Sequence, residues 1–292
     1  MATVADREER LRHERLLEKI RSGEKIESPD EMTEEYRENL IHLMTMQADS
    51  ELAGAFGYVP WIQKAPTIDE KLIVANIVKD EVRHATAIYR LLRELGVPVD
   101  EMVAQNDYMY RVAMSEGAGL GMQRITRDKR VNIFYYPIDT WADFVMFNFT
   151  MDRGAGHQLE DALHCSYGPW ARAMVSIMKE EVMHIHHGDL WVERFAKGTA
   201  EQQAEIQAAL DRWYPRVMNI FGRPHTPKNQ LYRKLGLKLR DNQEVREAFV
   251  NDIRPKLDAW GLRLPEWTPP WIEQGKELRY DEARDEMRYA AG

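Results

Sequence analysis

One cysteine, Cys165, stands in 292 residues. That scarcity excludes a disulfide framework and suits a reducing compartment. No apolar run approaches the roughly 20 residues that cross a bilayer, so no membrane partner is expected. The charged start, Asp6 to Arg12, lacks the apolar core of a signal peptide. Together these absences point to the cytoplasm. Positive charge is also short: the formal net charge is -8, with both signs spread along the chain, which argues against a nucleic-acid partner. Strand-like alternation is scarce and low-complexity segments are lacking. Helical periodicity is what fills the chain. Eight Trp and fifteen Met imply a large aromatic core or a broad interface.

The periodicity divides into segments. Residues 1–30 form a charged arm or peripheral helix, 31–265 the main domain, and 266–292 an extended tail containing, just ahead of it, Pro265 and, within it, Pro269 and Pro270. A first long helix is expected from Thr33 to Phe56, disturbed by Gly57 and Pro60. Thr67-x-x-Glu70 reads as a capping box opening a second helix that reaches Leu95, where Gly96 and Pro98 stop it. A less regular helix is expected over 100–114, then a loop over 117–130. Pro137 opens a helix running to Cys165. Gly168-Pro169 turns the chain into another long helix ending near Lys197. Shorter helices follow at 200–220 and 242–260. The fold class is therefore all-α: a four-helix core with additional peripheral helices and an extended C-terminal tail.

Two strings carry the chemistry: Asp80-Glu81-Val82-Arg83-His84 and Glu180-Glu181-Val182-Met183-His184. Each holds Glu-x-x-His, whose two side chains share one helix face. Glu51 precedes Glu81 by 30 residues, and Asp152 precedes Glu181 by 29. All six side chains fall on apolar stripes: Glu81 and His84 among Val74, Ile77, Ala85 and Ile88, and Glu181 and His184 among Met174, Ile177, Ile185 and Val192. Burying four carboxylates together is prohibitive unless protons or cations neutralise them. Two divalent metals would do so, and carboxylate with imidazole suits iron or manganese. Helical rise places each pair at a similar height above its turn: Glu51 and Glu81 each lie 15 residues from Pro66. The pattern matches a dinuclear, carboxylate-bridged site with Glu51, Glu81, His84, Asp152, Glu181 and His184 as metal ligands and catalytic centre. Asp80 and Glu180 are expected to cross over, Asp80 to His184 and Glu180 to His84, as hydrogen-bond partners of the imidazoles. His157, His164, His186, His187, Glu160, Asp161 and Asp189 are read as lying off the site.

Beyond these ligands the chain resembles the catalytic A subunits of ring-1,2-phenylacetyl-CoA epoxidases, which are bacterial multicomponent monooxygenases of the ferritin-like di-iron superfamily. The resemblance is carried by Trp61-Ile62-x-x-Ala65-Pro66-Thr67, Asp80-Glu81-x-x-His84, Trp141-Ala142-Asp143 with Asp152, and Ser166-Tyr167-Gly168-Pro169-x-Ala171-Arg172-Ala173-Met174-Val175 running on to Lys179-Glu180-Glu181-x-x-His184. It spans residues 25–265. Asp-Glu-x-Arg-His itself is similar to the motif of soluble methane and toluene monooxygenases, and the 117–130 segment looks longer than the family's connection. The resemblance implies a ferritin-like bundle with two iron ions that adds one atom of O2 to the ring of phenylacetyl-CoA in aerobic phenylacetate catabolism. It also implies NADPH electrons delivered by a separate flavin/iron-sulfur reductase, a small accessory subunit, a paralogous structural helical subunit, and hence a hetero-oligomer. Alternatives are another di-iron oxygenase or hydroxylase, manganese catalase, iron storage, or a non-catalytic metal-binding bundle.

One further segment stands out in this acidic chain. Residues 223–240 contain Arg223, Lys228, Arg233, Lys234, Lys238 and Arg240 and no acid before Asp241. Cations of this kind hold phosphates by charge-assisted hydrogen bonds. Lys234, Lys238 or Arg240 is expected to anchor the nucleotide end of coenzyme A; a basic docking face for an acidic partner is the alternative.

Overall fold

The computed structural model describes residues 4–112, 120–273, 276–281 and 286–289. Its centre is an all-α, ferritin-like four-helix bundle. Helix α1 (Val4–Arg21) precedes it; the bundle helices are α2 (Glu34–Lys64), α3 (Ile68–Glu94), the continuous pair α5 (Trp141–Phe147) and α6 (Arg153–Leu163) joined by a π turn at Asn148–Asp152, and α7 (Gly168–Ala196). Helix α4 (Val99–Ala104) caps one end, while α8 (Ala200–Met218), α9 (Pro227–Lys234) and α10 (Asn242–Ala259) pack outside.

Local chemistry accounts for most boundaries. Thr33, Thr67, Thr140, Thr199, Thr226 and Asp241 each accept a backbone N–H at the helix start. Helix α2 runs eight residues past the expected stop at Phe56. Pro60 lies inside it at an exposed position. An interior proline costs ~3 kcal/mol. Tyr58 and Trp61 flank it and are both buried against Phe144, with ring centroids 5.1 and 5.4 Å away. Burying two large aromatics returns about 3–6 kcal/mol, which outweighs the break.

The expected helix over 100–114 stops at Ala104. The Arg130 guanidinium explains this. It is fully buried on Asp128 (Nε–Oδ1 2.6 Å) and also takes the carbonyls of Asp107, Tyr108 and Tyr110. Carbonyls so engaged cannot serve a helix. Residues 113–119, which take in the end of that expected helix and the start of the loop expected over 117–130, lie outside the described residues. Pro137 does not open a helix: a 3-10 turn at Asn132–Tyr135 precedes it, and α5 starts only at Trp141, behind a Thr140/Asp143 capping box. Helix α9 adds a short helix within the basic segment, where periodicity marks none. Its Pro227 stands at the first turn, where the missing N–H is harmless.

The tail pairs with itself in backbone terms. β1 (Ile272–Glu273), β2 (Lys276–Asp281) and β3 (Glu286–Tyr289) form an antiparallel meander. It is held to the body ahead of these strands, where the Arg246 guanidinium lies 5.2 and 4.8 Å from the rings of Trp267 and Trp271. The arm is tied down as well: Ile26 exchanges backbone hydrogen bonds with Ser166 and Gly168 at the turn before α7.

Candidate metal centre

Apolar stripes drive the four bundle helices together, and the polar residues interrupting those stripes are carried inward. Glu51 comes from α2, Glu81 and His84 from α3, Asp152 from the end of the π turn, and Glu181 and His184 from α7. Glu81, His84, Asp152, Glu181 and His184 are buried, and Glu51 keeps only a slight exposure. Ligand atoms of Glu51, Glu81, His84 and Glu181 all lie within 4.8 Å of one another and could hold a metal ion. His184 sits beside them: its Nδ1 is 3.2 Å from Glu81 Oε1 and 3.6 Å from Glu181 Oε2. On the other side, His84 Nδ1 is 3.1 Å from Glu181 Oε1 and 3.7 Å from Glu51 Oε2.

Both Nδ1 atoms approach carboxylates yet neither is aligned for a hydrogen bond. Buried polar atoms are nearly always paired, so two imidazole nitrogens aimed without partners into a carboxylate cage fit a cation. Asp152 departs from the set. Its carboxylate accepts from Tyr58 Oη at 3.2 Å and from Asn148 Nδ2.

The outer hydrogen bonds are half as expected. Glu180 Oε2 lies 2.8 Å from His84 Nε2. Asp80 Oδ2 is 3.7 Å from His184 Nε2, and that nitrogen has no hydrogen bond. Arg83 bridges the two acids, its guanidinium 3.0 Å from Asp80 Oδ1 and 2.5 Å from Glu180 Oε1; held this way, the longer Glu180 side chain still reaches His84 with its second oxygen, and the shorter Asp80 does not reach His184. The competing residues are engaged elsewhere. Asp161 and Glu160 pair with Arg240, Asp189 with Arg153 and Lys256, and His157 lies 3.3 Å from Asp252. His164 and His186 are exposed. His187 is buried but lies between Glu70 and Asn148, outside the cage.

Burial raises the Glu81 carboxyl well above its ordinary range, and the neighbouring Glu181 charge adds to this. Asp152 is pushed up to about 8 by burial and then by Glu181. At Glu181 burial acts the same way, but His184 and His84 overcome it and hold the carboxyl at about 2. Burial opposes charge on the two imidazoles, yet their carboxylate neighbours raise His84 to about 11 and His184 to about 12. Without metal, protons therefore occupy the cage, and a cation must displace them.

A stability prediction follows. An imidazole whose folded pKa is raised contributes stability that is complete below its unfolded value of about 6.5. That contribution is lost as pH rises toward about 11 and about 12. Asp152, also raised, has the same sign. Glu181 has the opposite sign, losing its contribution as pH falls toward about 2. Chelator-treated protein should melt at progressively lower temperature from about pH 6 to about pH 9, and metal-loaded protein should not. Parallel melting profiles for the two forms would contradict the proton-filled cage.

Two cavities complete the site. The first has Glu51, Glu81 and Asp152 in one wall and Tyr58, Phe134 and Phe147 in others, and encloses about 910 Å³ including its open mouth. The second is lined by Arg124, Lys228, Asn229 and Asn242. Leu43, Met46, Val131, Gln158 and Lys238 line both. Of the three expected coenzyme A cations, only Lys238 faces these cavities. Lys234 is exposed and lines neither, and Arg240 is committed to Asp161 at 2.7 Å and to Glu160. Lys228 belongs to the basic run already evident in the sequence, whereas Arg124 lies outside it, and only folding brings residue 124 to the same cavity.

A family model described as "Phenylacetic acid catabolic protein" matches residues 6–291. The chain belongs to this family. It is 31% identical over 256 residues, 87% of this chain and 77% of the relative, to the A component of the 1,2-phenylacetyl-CoA epoxidase of Escherichia coli (strain K12). It is 25% identical over 179 residues, 60% of this chain and 35% of the relative, to benzoyl-CoA oxygenase component B of Aromatoleum evansii. Both relatives are named as enzymes of coenzyme A thioesters, and both names denote oxygen chemistry. Among the described residues no helix is long and apolar enough to cross a membrane.

Proposed function

We propose that this chain is the catalytic component of a multicomponent di-iron monooxygenase that epoxidises the ring of phenylacetyl-CoA. Glu51, Glu81, His84, Asp152, Glu181 and His184 hold two iron ions. The observation carrying the reading is that three of the candidate ligands, Glu51, Glu81 and Asp152, line an apolar cavity that shares five residues with a second, cation-lined one. Bound iron supplies the two-electron activation of O2. The chain's own residues do the rest. Phe134, Phe147 and Met151 give the aromatic ring an apolar seat beside the cage and keep water from competing there. Arg124, Lys228 and Lys238 hold the phosphate end; among the described residues none of the three is in an ion pair.

The overall step consumes one O2, two electrons and two protons, and yields epoxide and water. Electrons come from NADPH through a separate reductase, and the complex includes a small accessory subunit together with a paralogous helical one. An exposed apolar band on the outer side of α3 and α7 (Ile68, Leu72, Val82, Val182, Met183, Leu190) supports a partner covering that face.

The test is anaerobic reconstitution with ferrous iron, then addition of a reductant, O2 and either phenylacetyl-CoA or benzoyl-CoA. Oxygenated phenylacetyl-CoA is expected; iron oxidation without product from either thioester would defeat the reading. Lys238 provides a finer check. Its ammonium is 2.6 Å from Asn242 Oδ1, and burial lowers its pKa. Lys238→Glu should raise KM for the thioester at least tenfold, the equivalent of ~1.4 kcal/mol, with iron content unchanged. An unaltered KM would remove Lys238 from the phosphate site.

A further inference from the structure

Asp152 is the ligand candidate whose orientation the cage does not set. A chain of side chains does so instead, and it starts near the protein surface. Glu70, with its side chain 15% exposed, lies 2.9 Å from His187 Nε2. His187 Nδ1 lies 2.8 Å from Asn148 Oδ1, and Asn148 Nδ2 donates to Asp152 Oδ2. Tyr58 closes the far end on Asp152 Oδ1.

The polarity of this chain follows from its ends. A metal-binding carboxylate only accepts, so Asn148 must turn its NH2 toward Asp152. Its carbonyl oxygen then faces His187, whose Nδ1 must carry a proton. Other side-chain hydrogen bonds at the turn go to backbone, from Thr150 Oγ1 to the Met146 and Phe147 carbonyls and from Arg153 to the Phe149 carbonyl, and leave the amide orientation to His187. His187 is itself fixed, buried at 6.3 Å from the Phe144 ring and 6.5 Å from the Trp141 ring.

Glu70 is a second sign that the chain is built. It occupies the fourth place of Thr67-x-x-Glu70, where a capping-box glutamate would bond back to the Thr67 N–H. Thr67 does accept from Glu70 N, at 3.2 Å, but the Glu70 carboxylate goes to His187 instead. The helix forgoes one cap for this contact.

We propose that His187 is a positioning residue: through Asn148 it holds the Asp152 carboxylate in the orientation in which it meets the metal, with Glu70 fixing the imidazole. This rests on the metal reading of the cage given above. An orientation role makes a prediction that a space-filling role does not. An asparagine side chain can place an N–H where Nδ1 stands, whereas glutamine places its N–H where Nε2 stands.

The experiment compares wild type, His187→Asn, His187→Gln and His187→Leu by anaerobic ferrous titration against a competing chelator. The absorption spectrum after oxidation is recorded, with helical content and Tm as folding controls. Altering a ligand's hydrogen-bond partner typically costs about 10–100-fold in metal affinity. That loss, at one of two irons and with an altered spectrum, is expected for His187→Gln and His187→Leu. His187→Asn should stay within a few-fold of wild type. Glu70→Leu, at a partly exposed site that leaves the core closed, should weaken the same iron and keeps the test decisive if His187→Leu fails to fold. Wild-type affinity and spectrum in His187→Leu or Glu70→Leu, or equal impairment of the Asn and Gln variants, would overturn the positioning role while leaving the metal reading intact. A wild type that binds no ferrous iron would overturn both.

Discussion

His84→Ala should abolish tight binding of at least one of the two irons and with it oxygenation. His84 is 1% exposed, approaches Glu51 and Glu181 through Nδ1, and is held by Glu180 through Nε2. The other nearby imidazoles cannot replace it, because His184 serves the opposite side of the cage and His187 is engaged by Asn148 and Glu70. The loss should exceed the roughly 10–100-fold that a change in a ligand's hydrogen-bond partner costs. The fold should survive, because the Glu81 and Asp152 carboxyls, both raised by burial, can hold protons in place of the lost cation. Iron stoichiometry by elemental analysis, read beside the melting temperature, is the measurement. Two irons per chain in a folded His84→Ala protein would exclude His84 as a ligand.

The second large effect is expected at Gly188. This residue has no ligand or charge to lose, only space. A Cβ there would lie 2.7 Å from both the Cα and N of Phe149. Those are backbone atoms of the π turn that ends in Asp152, and backbone cannot step aside as a side-chain tip can. Helix α7 must therefore move away from the turn, or the turn must revert toward α-helix. Reversion would rotate Asp152 away from the cage, because a π turn carries one more residue per hydrogen-bonded loop. Overpacking of this kind typically costs about 1–3 kcal/mol. Gly188→Ala should lower the melting temperature and weaken iron binding together, and Gly188→Val should do so more strongly. A stable Gly188→Val protein with two tightly bound irons would show that the close approach is not needed to present Asp152.

The coupling of these two effects locates the site's design. His84 sits on a regular helix whose face is dictated by i, i+3 spacing. Asp152 sits on an irregular turn whose shape is dictated by a neighbouring helix. On the proposed metal reading, the first kind of ligand is expected to tolerate much change around it, and the second to depend on packing at Gly188 and on the His187–Asn148 contact.

What sequence alone determined, it determined through periodicity. The four core helices, their apolar faces, and the placement of Glu51, Glu81, His84, Glu181 and His184 on those faces follow from 3.6-residue repetition, which is a local property. The Glu180–His84 contact was legible for the same reason, as neighbouring positions on antiparallel helices repeat predictably. Tertiary structure decided whatever depended on competition between distant groups. Pro60 did not end α2, because Tyr58 and Trp61 found Phe144. The helix after Val99 stopped short because Arg130 claimed its carbonyls. Asp80, bridged to Glu180 by Arg83 one turn away on the same helix, is too short to reach His184 as well. Lys234 and Arg240 looked equivalent to Lys238 in a basic run, yet one points to solvent and the other is consumed by Asp161. The π turn, and the line from Glu70 through His187 and Asn148 to Asp152, join residues 70, 187, 148 and 152, and no pattern in a linear chain marks a hydrogen bond that only packing creates.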